Sequence, residues 1–479
     1  MSYRFVFGRP PAVSANAMVA TSQPLATRAG LRALERGGNA ADAAIAAAAV
    51  LAVTEPTGNS AGSDCFAIVW SDGRAEGMDS AGPAPTNASP LSPVETFGPR
   101  SVTVPGAVAG WAALAERHGR LGLDACLADA IDAAERGFAV TPLTAAAWAR
   151  GSENVPPEYL PAPKVGGIVR LPALAATLRR IAEEGPSAFY EGEVARAIAS
   201  VTWLEEEDLA SFEPRWVEPL RMSYRGHEVL ELPPPTQGVA ALEGLGLLER
   251  SSPSLASQVR CMQLALEDAL ARVRDGADVG ELLDPSFLDR RRTEAPAVTA
   301  EPPGGTVYLC AVDGDRTAVS FIQSNYMGFG SGLVAPGTGV ALQNRGACFA
   351  VAGAVEPGRR PYHTIIPGML LRDGDLLGPF GVMGGFLQAQ AHLQLVSAIV
   401  DDGLDPQAAL ERPRFMVDGD VVRLEEGLWE RDADLGALGM RTVRETNTGY
   451  FGGGQAILVS GDVLVGGSDP RKDGYAGGF

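Results

Sequence analysis

Strands and helices are interleaved through both halves of this sequence, which predicts one layered α/β body rather than two independent folds. Three observations carry that expectation. Residues 40–53 are almost all Ala, Val, Ile and Leu, so a helix there is apolar on every side and belongs between layers. Runs rich in β-branched and aromatic residues flank turn signals such as Ser71-Asp72-Gly73. Finally, Thr306-Val307-Tyr308-Leu309-Cys310-Ala311-Val312 reads as a buried strand in mid-chain, ending at the turn Asp313-Gly314-Asp315.

Taken in order, residues 18–22 predict a short strand. Pro24 opens a helix to Glu35, stopped by Gly37-Gly38. Asn39 can cap the apolar helix, and Glu55-Pro56 ends it. Small residues form a loop over 58–64, before strands over 65–70 and 74–78. A Pro-rich stretch covers 82–99, and 101–106 reads as strand and turn. The middle is mostly helical, over 107–117, 126–136, 172–184 and 193–200. The run Glu205-Glu206-Glu207-Asp208 suits a solvated helix N-terminus. A strand over 228–232 leads into Pro233-Pro234-Pro235-Thr236-Gln237-Gly238 and another helix. Residues 260–274 are helical, and 276–303 read as a polar connector. Strands are then denser, over 307–312, 318–323, 340–342, 369–371, 421–424 and 455–459, with one helix at 389–401.

Composition narrows the function. Of 479 residues, 58 are acidic and 39 are Lys or Arg, with no basic cluster, which argues against a nucleic-acid partner. Five scattered cysteines (Cys65, Cys126, Cys261, Cys310, Cys348) form no Cys-x-x-Cys pair, so neither a disulfide framework nor a structural zinc is expected. No cofactor or metal is called for. The N-terminus lacks a signal-peptide core and the apolar helix is too short to span a bilayer, so a cytoplasmic, soluble protein without membrane partners is expected. A homo-oligomer is compatible with the sequence.

The segment Gly304-Gly305-Thr306, preceded by Pro302-Pro303, has two readings. It is a loop entering a strand, or it is a self-cleavage site at which the Thr306 hydroxyl attacks the Gly305 carbonyl. In the second reading the freed amine, with an ordinary pKa of about 8, then serves as base for that hydroxyl. The four histidines, His118, His227, His363 and His392, offer little support for a Ser-His-Asp triad.

Several stretches together resemble the gamma-glutamyltranspeptidase family of N-terminal-nucleophile hydrolases. They include Met18-Val19-Ala20-Thr21-Ser22-Gln23-Pro24, Gly37-Gly38-Asn39-Ala40-Ala41-Asp42, Val104-Pro105-Gly106-Ala107 and Phe189-Tyr190-Glu191-Gly192. Pro233 to Gly238, Asn344, Arg359-Arg360-Pro361, Gly384-Gly385 and Ser468-Asp469-Pro470-Arg471-Lys472-Asp473-Gly474 continue the match in the same order. The resemblance implies a four-layer αββα sandwich made as one precursor that cuts itself before Thr306. Fragments 1–305 and 306–479 would then stay together as one body. It also implies an acyl-enzyme on Thr306 and an oxyanion site from the backbone of Gly384-Gly385. The substrate would be a small-molecule amide.

Departures from the family pattern put the acyl group in question. The position of the arginine that grips a glutamyl carboxylate holds Ala81. The acidic segment is replaced by Gln343-Asn344-Arg345-Gly346-Ala347-Cys348, and a serine pair by His363-Thr364. Arg345 is either a relocated carboxylate binder or a structural cation; His363 is either a pocket group or a core histidine. Ser324 and Asn325, in Gln323-Ser324-Asn325-Tyr326-Met327-Gly328-Phe329-Gly330-Ser331-Gly332, are partners for the Thr306 hydroxyl or packing groups. That run resembles the cephalosporin-acylase-like branch. A short stretch between Asn344 and Arg359 leaves little of the family's lid loop and suggests room for larger acyl groups. The rival readings are a pathway-specific enzyme cleaving an amide or carbon–carbon bond in a secondary metabolite, and an unprocessed, non-catalytic homologue.

Overall fold

The apolar helix lies where its composition sends it: every residue of Ala40–Thr54 is buried. Its start is fixed twice. Asn39 and Asp42 form a capping box, and Asp313, at the end of the central strand, accepts a 3.0 Å bond from Ala40 N. The computed structural model describes residues 8–150, 154–296 and 304–479. Pro302-Pro303 and the first seven residues, discussed above from sequence, lie outside the described residues.

Two seven-stranded antiparallel sheets stack face to face. The first has the order Tyr475–Gly478, Met18–Thr21, Gly305–Val312, Ala318–Tyr326, Asp64–Ser71, Arg74–Ser80, Arg215–Val217. The second runs Ala12–Ser14, Val463–Ser468, Gly453–Ser460, Asp375–Met383, Gly368–Arg372, His227–Glu231, Leu220–Tyr224. Helices Pro24–Glu35, Ala40–Thr54, Ala107–His118 and Leu123–Arg136 cover the first sheet. Gly238–Glu249, Leu255–Arg272 and Leu387–Val400 cover the second. A dry inter-sheet layer, including Met18, Phe66, Tyr308, Ile322, Leu230, Met369 and Ile457, joins them. The result is the αββα sandwich.

Period-two alternation decides which side chains enter that layer. On Gly305–Val312, Tyr308, Cys310 and Val312 face the second sheet, while Val307, Leu309 and Ala311 face the helices. Gly381 makes the close approach possible. A Cβ there would sit 2.4 Å from the Tyr308 ring, so glycine lets Asp375–Met383 cross directly over the central strand.

Three expectations from sequence are corrected. Residues 102–106 form no strand: Pro105 has no N–H, and Gly106 N donates instead to Asp64 Oδ1 at 3.2 Å. The connector over 276–303 contains a short helix, Pro285–Arg291, capped by Asp284 and anchored by buried Phe287 and Leu288. Strand Asp375–Met383 was not expected, because Gly378, Pro379 and Gly381 hide its alternation. No helix among the described residues is long and apolar enough to cross a membrane.

Candidate active site

Thr306 is the second residue of Gly305–Val312, 5% exposed, and has the parity of the inter-sheet face. The register with Ala318–Tyr326 shifts between Gly305 and Val307, so an irregularity falls on Thr306 itself. This aligns three oxygens. Thr306 Oγ1 donates to Ser324 Oγ at 3.1 Å, and Ser324 Oγ donates to the Gly305 carbonyl oxygen at 2.8 Å. Ser324 is held in place by Tyr326 N, which donates to it at 2.8 Å. The hydroxyl that would attack, and a donor to the carbonyl it would attack, therefore share one hydrogen-bond chain.

The second sheet closes the site from above. Asp375–Met383 ends at Gly384-Gly385, with φ of +136° and +63°, conformations that favour glycine. Gly385 lies against the cleavage segment: a Cβ built on Gly304 would be 3.0 Å from Gly385 Cα and 3.4 Å from its nitrogen. Helix Leu387–Val400 follows, directing its N-terminus, the positive end of its dipole, at this region. In its first turn Gln388 donates through Nε2 to Thr306 Oγ1 at 3.4 Å and accepts from Ile366 N at 3.1 Å. Gln237 braces the same corner, donating to the carbonyls of Thr364 and Gly385 at 2.6 and 3.1 Å. Beneath Thr306 lies Gly58, where a Cβ would come within 3.3 Å of the threonine backbone.

The remaining candidates divide between two surroundings. Arg345 is fully buried at the start of the turn Arg345–Val351. Its two Nη atoms donate to Thr364 Oγ1 and Ser324 Oγ, both at 3.1 Å, and its guanidinium stacks 4.6 Å over the Tyr326 ring. Arg345 and Thr364 thus join the Thr306–Ser324 chain. Asn325 does not, because alternation turns it to the opposite face, where its Oδ1 accepts from Ser60 and Ser63 at 3.0 and 2.7 Å. Asn344 braces loops, accepting from Met327 N and donating to the Thr96 carbonyl. His363 is fully buried, its Nε2 3.1 Å from Asp64 Oδ2 and its Nδ1 2.7 Å from the Pro361 carbonyl oxygen. Burial lowers its pKa, opposed by Asp64.

Ala81 is fully buried, and its carbonyl accepts from Arg360 Nε at 2.6 Å. Arg360 lies 3.6 Å from Asp79. Burial pushes the Asp79 carboxyl up to about 6 despite Arg360, and pushes Arg360 down despite Asp79. Both partners move toward neutrality, so this pair is only weakly compensated. Among the described residues no cluster of His, Cys, Asp and Glu could hold a metal ion. Sequence reasoning missed Gln388, although it lies three residues beyond the Gly-Gly pair. It also passed over Gly58, whose role depends on a packing distance that no motif encodes.

Comparison with known proteins places this geometry. Residues 26–479 match the sequence model described as Gamma-glutamyltranspeptidase. The chain is 32% identical to an oxamate amidohydrolase proenzyme of Klebsiella pneumoniae, covering 98% of this chain and 99% of that protein. It is 31% identical to the glutathione hydrolase-like YwrD proenzyme of Bacillus subtilis, covering 96% and 98%. The crystal structure of cephalosporin acylase from Bacillus halodurans superposes with a TM-score of 0.93 at 41% identity, over 100% of this chain and 98% of that one. With its αββα layers and a family match along almost its whole length, the chain belongs to the gamma-glutamyltranspeptidase family.

Proposed function

We propose that this protein is a self-processing N-terminal-threonine amide hydrolase and acyltransferase, cut between Gly305 and Thr306 and acting through an acyl-enzyme on Thr306. The hydrogen-bond chain Thr306 Oγ1–Ser324 Oγ–Gly305 O carries the reading. As Oγ1 attacks the Gly305 carbonyl carbon, its proton can pass to Ser324 Oγ as the Ser324 hydroxyl proton passes on to the Gly305 carbonyl oxygen, so the tetrahedral intermediate forms without net charge. The C–N bond breaks, the threonine nitrogen takes a proton, and water hydrolyses the resulting ester to a Gly305 carboxylate and a free Thr306. In turnover the freed α-amine acts as the base. Gln388, on the Thr306 hydroxyl, and Gly385, against Gly304, flank the cleavage segment with Gly384 next to them, and Asn344 and His363-Thr364 shape the wall beside it.

Names of the relatives support an acyl amide as substrate, and Ala81 in place of an arginine favours an acyl group other than glutamyl. A pathway-specific amide is the second reading, on the same observation. Free, buried cysteines fit a cytoplasmic setting. Intact-mass measurement tests the proposal. Fragments of 305 and 174 residues are expected from the 49.8 kDa chain, and Thr306→Ala should remain whole and inactive. A wild-type protein that stays uncut, or a Thr306→Ala protein that is cut normally, would sink it.

A further inference from the structure

We propose that Arg345 and Ser324 form a carboxylate-binding site beside the nucleophile, which selects short acyl groups carrying a negative charge; this rests on the amide-hydrolase reading above. The starting point is a buried guanidinium with no carboxylate paired directly to it among the described residues. A guanidinium removed from water normally needs an anion, since burying it unpaired is strongly unfavourable. Arg345 is 0% exposed, yet its guanidinium partners are the hydroxyls of Ser324 and Thr364, the Cys348 sulfur at 3.8 Å and the face of Tyr326. Its Nε has no hydrogen-bond partner. No carboxylate pairs with it among the described residues. Asp64, the acid on that wall, accepts instead from Gly82 N, Gly106 N and the His363 contact.

Position defines the ligand. Two 3.1 Å hydrogen bonds, through Ser324 Oγ, separate Arg345 Nη2 from Thr306 Oγ1. A substrate whose acyl carbon sits on Thr306 and whose carboxylate meets the guanidinium has room for roughly one to three carbon–carbon bonds between them. That describes the monoamide of a two- to four-carbon diacid, in place of the larger acyl groups expected from the short lid. In the uncut chain the Gly305 carbonyl already occupies the donor of Ser324. Withdrawal of the Gly304-Gly305 end after cleavage would free that hydroxyl and open the way to Arg345.

The test uses the processed wild-type enzyme and matched 4-nitroanilides: oxalyl, malonyl and succinyl monoamides against neutral acyl anilides of equal length. The expected kcat/KM preference for the anionic set is roughly 10- to 100-fold, the scale of one charge-assisted hydrogen-bond pair. Arg345→Met should reduce that ratio to within about threefold, and Arg345→Lys, which keeps charge without the fork, to an intermediate value. Malonate and succinate should bind the processed wild type in calorimetric titrations and inhibit competitively. Equal turnover of anionic and neutral anilides, an unchanged preference in Arg345→Met, or no binding of either diacid would overturn the inference. Should Arg345→Met stay uncut, the wild-type ratio and titrations decide alone. Normal cleavage with turnover of neutral anilides and no anionic preference would sink only this proposal; an uncut, inactive wild type would sink the amide-hydrolase reading as well.

Discussion

The two walls around Thr306 are built by different means. On one side, Thr306 and Ser324 sit on paired strands and the Gly384-Gly385 corner directly ends a strand of the facing sheet, so their spacing follows from backbone registers. The other side, with Ala81, Arg345, His363 and Arg360, is made of turns and loops held by buried charges. The Thr306 side therefore tolerates little change of position, whereas the loop side can exchange charges while the loops keep their course. A family can keep one chemistry and vary its substrates on such a frame.

Three experiments would break or sharpen that contrast. The largest effect is expected from Ser324→Ala, which removes the donor to the Gly305 carbonyl. The precursor half-life, followed on denaturing gels, should lengthen by about 10²- to 10³-fold. Cleavage at the wild-type rate would show that the strand wall does not do the chemistry. Next, His363→Ala leaves Asp64 buried with only backbone donors. A loss of roughly 3 kcal/mol in chemical denaturation is expected. A loss under 1 kcal/mol would mean that the loop wall does not depend on its charges.

The smallest effect concerns pH. Asp79 has a folded pKa of about 6, above its ordinary 3.8, because it is buried. Its folded form binds a proton more tightly than its unfolded form, so its contribution to stability is full below pH ~4 and is lost as pH rises through about 6. Melting temperatures measured across that window should fall for this reason, and Asp79→Asn should flatten the slope. An identical slope in both proteins would place the pH dependence elsewhere.

The sequence made Thr306 easier to read than its surroundings. Thr306 follows two glycines and opens an alternating apolar run, and Ser324 directly follows the run 318–323 that reads as a strand; both signals are local. Asn325 could have been set aside by alternation alone, since neighbours on a strand face opposite ways. The partners of Arg345 were out of reach, because they come from Ala318–Tyr326 and from a loop near residue 364, joined only by the tertiary fold. The strand Asp375–Met383 was concealed by its own glycines. One of them, Gly381, is what lets it lie close over Tyr308, while Gly378 lies against the Ile457 backbone of the neighbouring strand.

The central strand Gly305–Val312 is bonded on one side to Met18–Thr21 and on the other to Ala318–Tyr326. Cutting before Thr306 would therefore leave two polypeptides threaded through a single sheet. Before the cut, refolding from denaturant is unimolecular and independent of protein concentration; afterwards it requires two chains to meet. Cleavage would thus act as a ratchet. A molecule that unfolds after maturation loses the easy route by which it first folded, and its lifetime is set by how slowly the sheet opens.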